Sequence, residues 1–254
     1  FLAWSKDGGQ TWKPFKVPTM KIGDEPARRY DFNGEAPINV SADGSIFIVG
    51  MPVVAASGDR GKSWFAPEGL PAHARAIADK ADPSLFYAID FMASRLYVSR
   101  DSARTFVPML AAGLPKDFSA DRPRNREAQY PLQAVPGKAG ELWLLLGGKL
   151  YWSTDFGASF RKAGDDDIRI AKFGLGHSAP DRDSPAVYAI ATKNGVTGIW
   201  RSNDAGSSWS RINDDLHQWG LRFRAISGDP RIYGRVYIAT DGRGILYGDP
   251  AAPR

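Results

Sequence analysis

The sequence predicts an all-β fold, a β-propeller of four-stranded blades, on three observations. An acidic turn returns five times, apolar runs of strand length flank each copy, and no stretch longer than one turn carries a helical period. The turns read SKDGGQTW from Ser5, SGDRGKSW from Ser57, SRDSARTF from Ser99, STDFGASF from Ser153 and SNDAGSSW from Ser202. Each is Ser-x-Asp-x-x-x-Ser/Thr-aromatic, and four of the five have Gly in fifth place. Their starts are 52, 42, 54 and 49 residues apart. A repeat of ~40–50 residues is the length of one propeller blade.

The strands follow in the same order around each turn. GSIFIVGM and VVAAS lead into the second box and SWFAP leaves it; LFYAID and RLYVS lead into the third and TFVPM leaves it. ELWLLL and KLYWS precede the fourth, with SFRKA after it; AVYAIAT, the turn GVTG and IWRS precede the fifth, with SWSRI after it. Alternating or continuous apolar runs of this length read as strands. A last hairpin, RVYIATDGRGILYGDP (235–250), has the inner strands of a blade without a box. Together these give about five to six blades in one propeller domain, 1–254. The chain opens at Phe1 in mid-pattern, with neither an initiator Met nor a signal peptide, which leads us to expect part of a larger, seven-bladed ring.

The box residues suit a tight turn between the third and fourth strands of a blade. Asp7, Asp59, Asp101, Asp155 and Asp204 can each accept backbone N–H groups, with the Ser and Thr hydroxyls assisting. Gly permits positive φ there, and the closing Trp or Phe is expected to pack between sheets, contributing roughly 1.5–3 kcal/mol. The boxes are therefore expected to be structural. In the third, Ser102 and Ala103 stand in place of glycines and Phe106 in place of Trp, drift that a clip tolerates better than an active site.

If the boxes join strands three and four, the loops joining two to three and four to one emerge at the other end of each sheet. Ligand sites in propellers usually lie there, by analogy of fold. The loops assigned to that end are 16–37, 50–52, 90–94, 110–131, 193–198, 213–222 and 240–244, two of them longer than a turn requires. They carry Tyr30, Phe91, Tyr130 and Trp219 with Arg29, Arg126, His217 and Arg243, alongside Arg28, Phe32 and Asn125. Rings that stack on a sugar's C–H face, with planar groups that bind its hydroxyls, suit an extended glycan. Cleaving a glycosidic bond takes two carboxyl groups. The candidates on these loops are Asp24, Glu25, Asp31, Glu35, Asp90, Glu127, Asp214 and Asp215, and sequence does not pair them.

Composition excludes several other classes. There is no Cys, hence no disulfide or thiol nucleophile, and the three His are unpaired in sequence, so neither a metal nor a cofactor is expected. The net charge of +5 is scattered, which argues against nucleic acid, and no apolar run reaches the ~20 residues that span a bilayer. Asn39-Val40-Ser41 matches the N-glycosylation triplet.

The repeated boxes resemble those of sialidases and sortilin-type receptors as well as glycan hydrolases. The C-terminal third is more specific. GIWRSNDAGSSWSRINDDLHQWG followed by AISGDPRIYGRVYIATDGRGILYGDP resembles the closing segment of the two-propeller xyloglucanases, endo-β-1,4-glucanases specific for xyloglucan. VPGKAGELWLLLGGKLYWSTDFGASF and AKFGLGHSAPDRDSPAVYAIAT follow the same order, so the resemblance covers essentially the whole chain, as most of the second propeller. It implies a secreted or periplasmic enzyme with an open cleft between two propellers. In that cleft an Asp pair hydrolyses xyloglucan with inversion. This chain would supply one wall, with the N-terminal propeller of the same enzyme as its partner. The family's RTDIGG-like and GDIGGF-like catalytic stretches do not occur here, so no catalytic residue is assigned. A non-catalytic propeller that binds glycan or protein is the alternative; a sialidase would need an early Arg-Ile-Pro signature that is absent.

Overall fold

A computed structural model describes residues 3–14, 19–20, 28–29, 38–50, 54–123, 130–164, 166–217 and 223–250. The fold is an all-β propeller, and a single 3₁₀ turn, Ser119–Asp121, is the one helical element among the described residues. The first box lies between β1 (Ala3–Trp4) and β2 (Lys13–Pro14), an antiparallel pair. A second short pair, β3 (Thr19–Met20) and β4 (Arg28–Arg29), falls inside the long loop 16–37. The blade sheets follow in chain order. The first is β5 (Ile38–Val40), β6 (Phe47–Val49) and β7 (Ala55–Ser57), with Phe65 bridging to Ala56 as a rudimentary fourth strand. The second is β8 (Arg75–Ala78), β9 (Phe86–Asp90), β10 (Arg95–Ser99) and β11 (Val107–Pro108). The third is β12 (Leu132–Ala134), β13 (Leu142–Leu146), β14 (Lys149–Ser153) and β15 (Arg161–Ala163). The fourth is β16 (Ile168–Gly176), β17 (Ala186–Lys193), β18 (Val196–Ser202) and β19 (Ser210–Arg211), and the last is β20 (Phe223–Gly228), β21 (Val236–Thr240) and β22 (Ile245–Gly248). Neighbouring strands within each blade sheet are consecutive in sequence and antiparallel. That meander needs only short turns.

The chain forms two compact units, 1–111 with 137–140, and 112–136 with 141–254. In the first, a core of small and aromatic side chains (Ile48, Ala56, Ala76, Phe86, Ala88, Phe106) fills the space between sheets β5–β7 and β8–β11. In the second, Trp143, Leu150, Phe173 and Val187 form one core, and Tyr188, Ile199, Ile226 and Ile238 another. Alternation puts these residues on sheet faces, and burying each large one contributes roughly 1.5–3 kcal/mol.

The second to fifth boxes join third to fourth strands, the first joins the two strands of the pair β1–β2, and all five share one hydrogen-bond scheme. The leading serine donates to its Asp Oδ1 at 2.7–2.9 Å in all five. Its Oγ accepts the amide of the fifth residue at 2.8–3.1 Å. The Asp accepts the amide of the seventh residue at 2.8–2.9 Å. It also takes that residue's hydroxyl at 2.5 Å. The fourth and fifth residues are both left-handed in every box, including Ser102 (φ 61°) and Ala103 (φ 65°), so the clip imposes the turn even without glycine. Ser57, Ser99, Ser153 and Ser202 are buried, so each hydroxyl replaces water for a buried amide.

The closing aromatics divide. Phe106 and Phe160 are buried, and Trp64 and Trp209 are half-buried. Trp12 corrects the expectation: it is 63% exposed, and its Nε1 donates back to Gly9 O at 2.9 Å. Its turn belongs to a two-stranded pair, without the four-stranded sheet that stands beside Phe106 or Phe160.

Two further devices lie at the same end of the sheets as the boxes. Residues preceding a Gly-Leu-Pro triplet pair with the next box: Glu68 bridges to Thr105 and Ala112 to Ser159. The following glycines pack against that box's backbone. A Cβ on Gly69 (φ +71°) would meet Phe106 O at 2.3 Å, and one on Gly113 (φ +87°) would meet Phe160 O at 2.1 Å. The second device is an Asp–Tyr pair at the turn between strands one and two. Asp79, 0% exposed, accepts the amides of Ala81, Asp82 and Gly140 and the hydroxyl of Tyr87. Asp229 repeats this with Arg231, Ile232 and Tyr237. Burial, then the Asp79 charge, pushes the Tyr87 hydroxyl pKa upward, so it stays protonated and donates. The Asn39 side chain of the glycosylation triplet donates from β5 to Ala76 O at 3.2 Å, so its amide is engaged in packing rather than displayed.

Gly113→Ala is expected to destabilise by at least about 2 kcal/mol, because a Cβ meets backbone as well as an unfavourable φ. Gly137→Ala, with φ +76° but open space around it, should cost only about 1 kcal/mol. Denaturant unfolding of both variants checks the difference. The box carboxylates predict acid behaviour too. Hydrogen bonds from Thr11 and Ser63 pull Asp7 and Asp59 down to about 2 from 3.8, and Asp101, Asp155 and Asp204 are also lowered. With folded values below unfolded ones, their stabilisation is complete above the unfolded pKa and is lost as pH falls through the folded value. Melting temperature should therefore be insensitive to these groups above about pH 5 and fall between about pH 4 and 2.

Candidate functional site

At the opposite end of the sheets from the boxes, each second strand turns into its third and each fourth strand runs on to the next blade. The observed turns are 91–94, 147–148, 194–195 and 241–244, and the links include the described residues 109–123, 130–131, 164, 166–167 and 212–217. Sequence reading missed three of these segments: 147–148, 164–167 and the link 66–74.

The expected ligand residues separate on inspection. Tyr30, Arg126 and Trp219 lie outside the described residues, as do Asp24, Glu25, Asp31, Glu35 and Glu127, while Arg29 is placed in β4. Phe91, read as a displayed ring, is 5% exposed: it continues the fully buried strand β9, and the core takes its side chain. Arg243 is exposed in the β21–β22 turn, where its amide donates to Thr240 Oγ1 at 2.9 Å. His217 is exposed, with Nδ1 2.6 Å from Asp214 Oδ1.

The loop that carries His217 is held by one side chain. Asn213 Oδ1 accepts the Ile199 amide at 2.7 Å, and its Nδ2 donates to His217 O at 3.1 Å. Asp214 caps the same turn through the amides of Leu216 and His217. Asp215 receives Arg211 at 2.7 Å. In the other unit Asp90, 2% exposed, accepts the amides of Met92 and Ala93 and lies 3.0 Å from His73 Nε2. His73, in the link 66–74, is a polar residue that sequence reading did not single out.

The described carboxylates at this end of the sheets are thus engaged in fixing loops. The hydrogen bond from His217 holds the Asp214 carboxyl below its ordinary value. A glycosidase general acid needs the reverse, a raised pKa. No group of three or more His, Asp or Glu placed to hold a metal occurs among the described residues.

Tyr130 is the expected ligand residue that lines a recess. It is half-buried, and with Asp121, Lys172 and the Gly147-Gly148 turn it bounds a hollow of about 160 Å³. Gly147 (φ 57°) and Gly148 (φ 77°) form the tight β13–β14 turn, a conformation most side chains disfavour. Gly147 donates its amide to Asp121 Oδ1 at 2.9 Å, and Gly148 O accepts from Ile170 at 2.9 Å. Next to it β16 bulges: Ile170 and Lys172 pair with Ala191 and Ile190, leaving Ala171 unpaired. Bulges of this kind re-aim side chains at sheet edges and beside sites.

No family model matches the chain. It is 42% identical to a xyloglucanase from Paenibacillus sp over 98% of its own length and 23% of that protein. It is 37% identical to xyloglucanase Xgh74A of Acetivibrio thermocellus over 99% of its own length and 27% of that protein. The crystal structure of the GH74 xyloglucanase from Xanthomonas campestris superposes with a TM-score of 0.80 at 32% identity, covering 98% of this chain and 33% of that one. The chain thus spans about a quarter of the length of the curated relatives it matches.

Asn213→Ala should raise amide exchange at Ile199, Leu216 and His217 about tenfold by releasing the loop, with Ala189 in the β17 core unchanged. Residue-resolved hydrogen exchange measures both sets in one experiment.

Proposed function

We propose that this chain, homologous over nearly its whole length to part of the GH74 xyloglucanases, forms one wall of a xyloglucan-binding cleft. The remainder of the cleft and the catalytic Asp pair would come from parts of the same protein outside these residues. The observation that carries the reading is the kinship itself: identity of 37–42% across 98–99% of the chain leaves no blade outside the match. The site chemistry supports it. Long polar links with Tyr130, His217 and Arg243 lie at one end of the sheets, and the boxes that hold the fold lie at the other.

In this reading Tyr130 offers a stacking face, and His217 and Arg243 bind hydroxyls at the rim. Tyr30, Arg29, Arg126 and Trp219 would extend the contact from neighbouring loops. The described carboxylates hold loops in place and leave hydrolysis to residues outside this chain. A polysaccharide of this size is met outside the cytoplasm, which makes the protein secreted or periplasmic.

The second reading, a non-catalytic glycan-binding propeller, is favoured by the lowered Asp214 and by the loop-fixing bonds of Asp90 and Asp215. The two differ in whether the chain, joined to a second propeller, takes part in hydrolysis. The 254-residue chain should migrate more slowly in a gel containing xyloglucan than in one without it, and should release no reducing ends from the polymer. Release of reducing ends by the chain alone would overturn the division of labour; unretarded migration would count against the wall itself.

A further inference from the structure

We propose that the recess bounded by Asp121, Tyr130, Gly147, Gly148, Ala171 and Lys172 is a pocket for one neutral sugar ring, a chain-terminal or branch unit of a glycan. The ligand class rests on the glycan-binding reading above; the size, shape and charge of the pocket do not.

Size comes first. The volume of about 160 Å³ is the share of about five waters, and ligand pockets for drug-sized molecules run to about 300–1,000 Å³. One six-membered ring matches the enclosed volume, and a second ring would lie outside it. Shape comes next. The buried residues Ile170 and Phe173 are among those lining the recess and give it an apolar component, and a space for one ring has no room for the rings that continue on both sides of a main-chain unit. A glycan main chain must enter and leave, whereas a terminal or branching ring needs only to enter.

The lining chemistry then selects among small rings. Tyr130 supplies an aromatic face and Pro131 extends the apolar wall, which suits the C–H face of a pyranose. Asp121 is fixed by the Gly147 amide at Oδ1, and its Oδ2 has no hydrogen-bond partner among the described residues. That oxygen can accept a sugar hydroxyl, and a carboxylate is the stronger kind of acceptor. Lys172 is also among the lining residues, so the lining carries one charge of each sign and no net charge, which suits a neutral polyol. The cradle is also built. A Cβ on Gly148 would come within 3.0 Å of Arg169 Cγ, and Ala171 sits exposed on the bulge without a partner in β17.

Ala171 is the useful handle, because an exposed bulge residue can be enlarged without entering the core. The test follows saturation-transfer NMR of the whole chain with methyl β-D-glucopyranoside and methyl α-D-xylopyranoside, and calorimetry with a branched xyloglucan oligosaccharide. Ala171→Trp and Tyr130→Ala should abolish transfer to the single rings and weaken the oligosaccharide about tenfold or more, while Tyr130→Phe retains both. Asp121→Asn, which keeps an acceptor for the Gly147 amide, should weaken binding about threefold or more without unfolding. If the native chain binds the oligosaccharide and Ala171→Trp binds it equally, the pocket assignment fails while the cleft-wall reading stands. If the single rings bind in an Ala171-dependent way but the oligosaccharide and polymer do not, the wall reading fails and the pocket stands. Absence of transfer from either ring to the native chain overturns the pocket outright.

Discussion

The structure depends on a serine hydroxyl buried at the end of the third strand in four of the five blade sheets. It donates to an Asp and accepts an amide two residues beyond that Asp, and so fixes two consecutive left-handed residues. Each hydrogen bond is worth only about 0.5–1.5 kcal/mol net, but leaving the buried amide without the hydroxyl would cost about 1–3 kcal/mol. With the turn fixed, the box's seventh residue is in place to bridge to the preceding blade's outgoing link, as Thr105 does with Glu68 and Ser159 with Ala112. Gly69 and Gly113 then press onto the next box's backbone, where no side chain would fit. Turn, bridge and glycine contact form one chain of constraint from a box to the start of the preceding link, and the second-to-third strand turns lie outside it.

That constraint explains what could be read beforehand. The five boxes, their spacing and the strands around them are local patterns, and local patterns give blade order, the place of each turn and hence the end of the sheets where ligand loops emerge. Residues defined by contact rather than by pattern were harder. Phe91 looked like a displayed ring because it follows an acidic strand end, yet β9 is buried along its whole length and the ring follows it inward. Trp12 looked like its counterparts, but burial there depends on a neighbouring sheet, which the motif does not encode. The Asp79–Tyr87 and Asp229–Tyr237 pairs, each eight residues apart, and the two Gly-Leu-Pro triplets were legible repeats that the more conspicuous boxes obscured. The bulge at Ala171 had no sequence signal, since register is a property of two strands together.

The division between the two ends of the sheets bears on function. Asp residues are abundant here, and acidic residues are the natural suspects in a glycan hydrolase homologue. Yet the box carboxylates are spent on turns, and so are Asp79, Asp90 and Asp229. Where their pKa values depart from the ordinary range they are lowered, as structural hydrogen-bond acceptors should be. What the opposite end offers is a mixture of ring, charge and backbone suited to holding a glycan, which is the part a cleft wall would play.

The most direct test of this account maps where a glycan touches the chain. Hydrogen exchange with and without a branched xyloglucan oligosaccharide should show protection confined to 114–123, 130–131, 146–149, 170–172, 193–197, 212–217 and 241–244. The box segments 57–64, 99–106, 153–160 and 202–209 should exchange at the same rate in both conditions. Protection centred on the boxes, with the opposite loops unchanged, would contradict it.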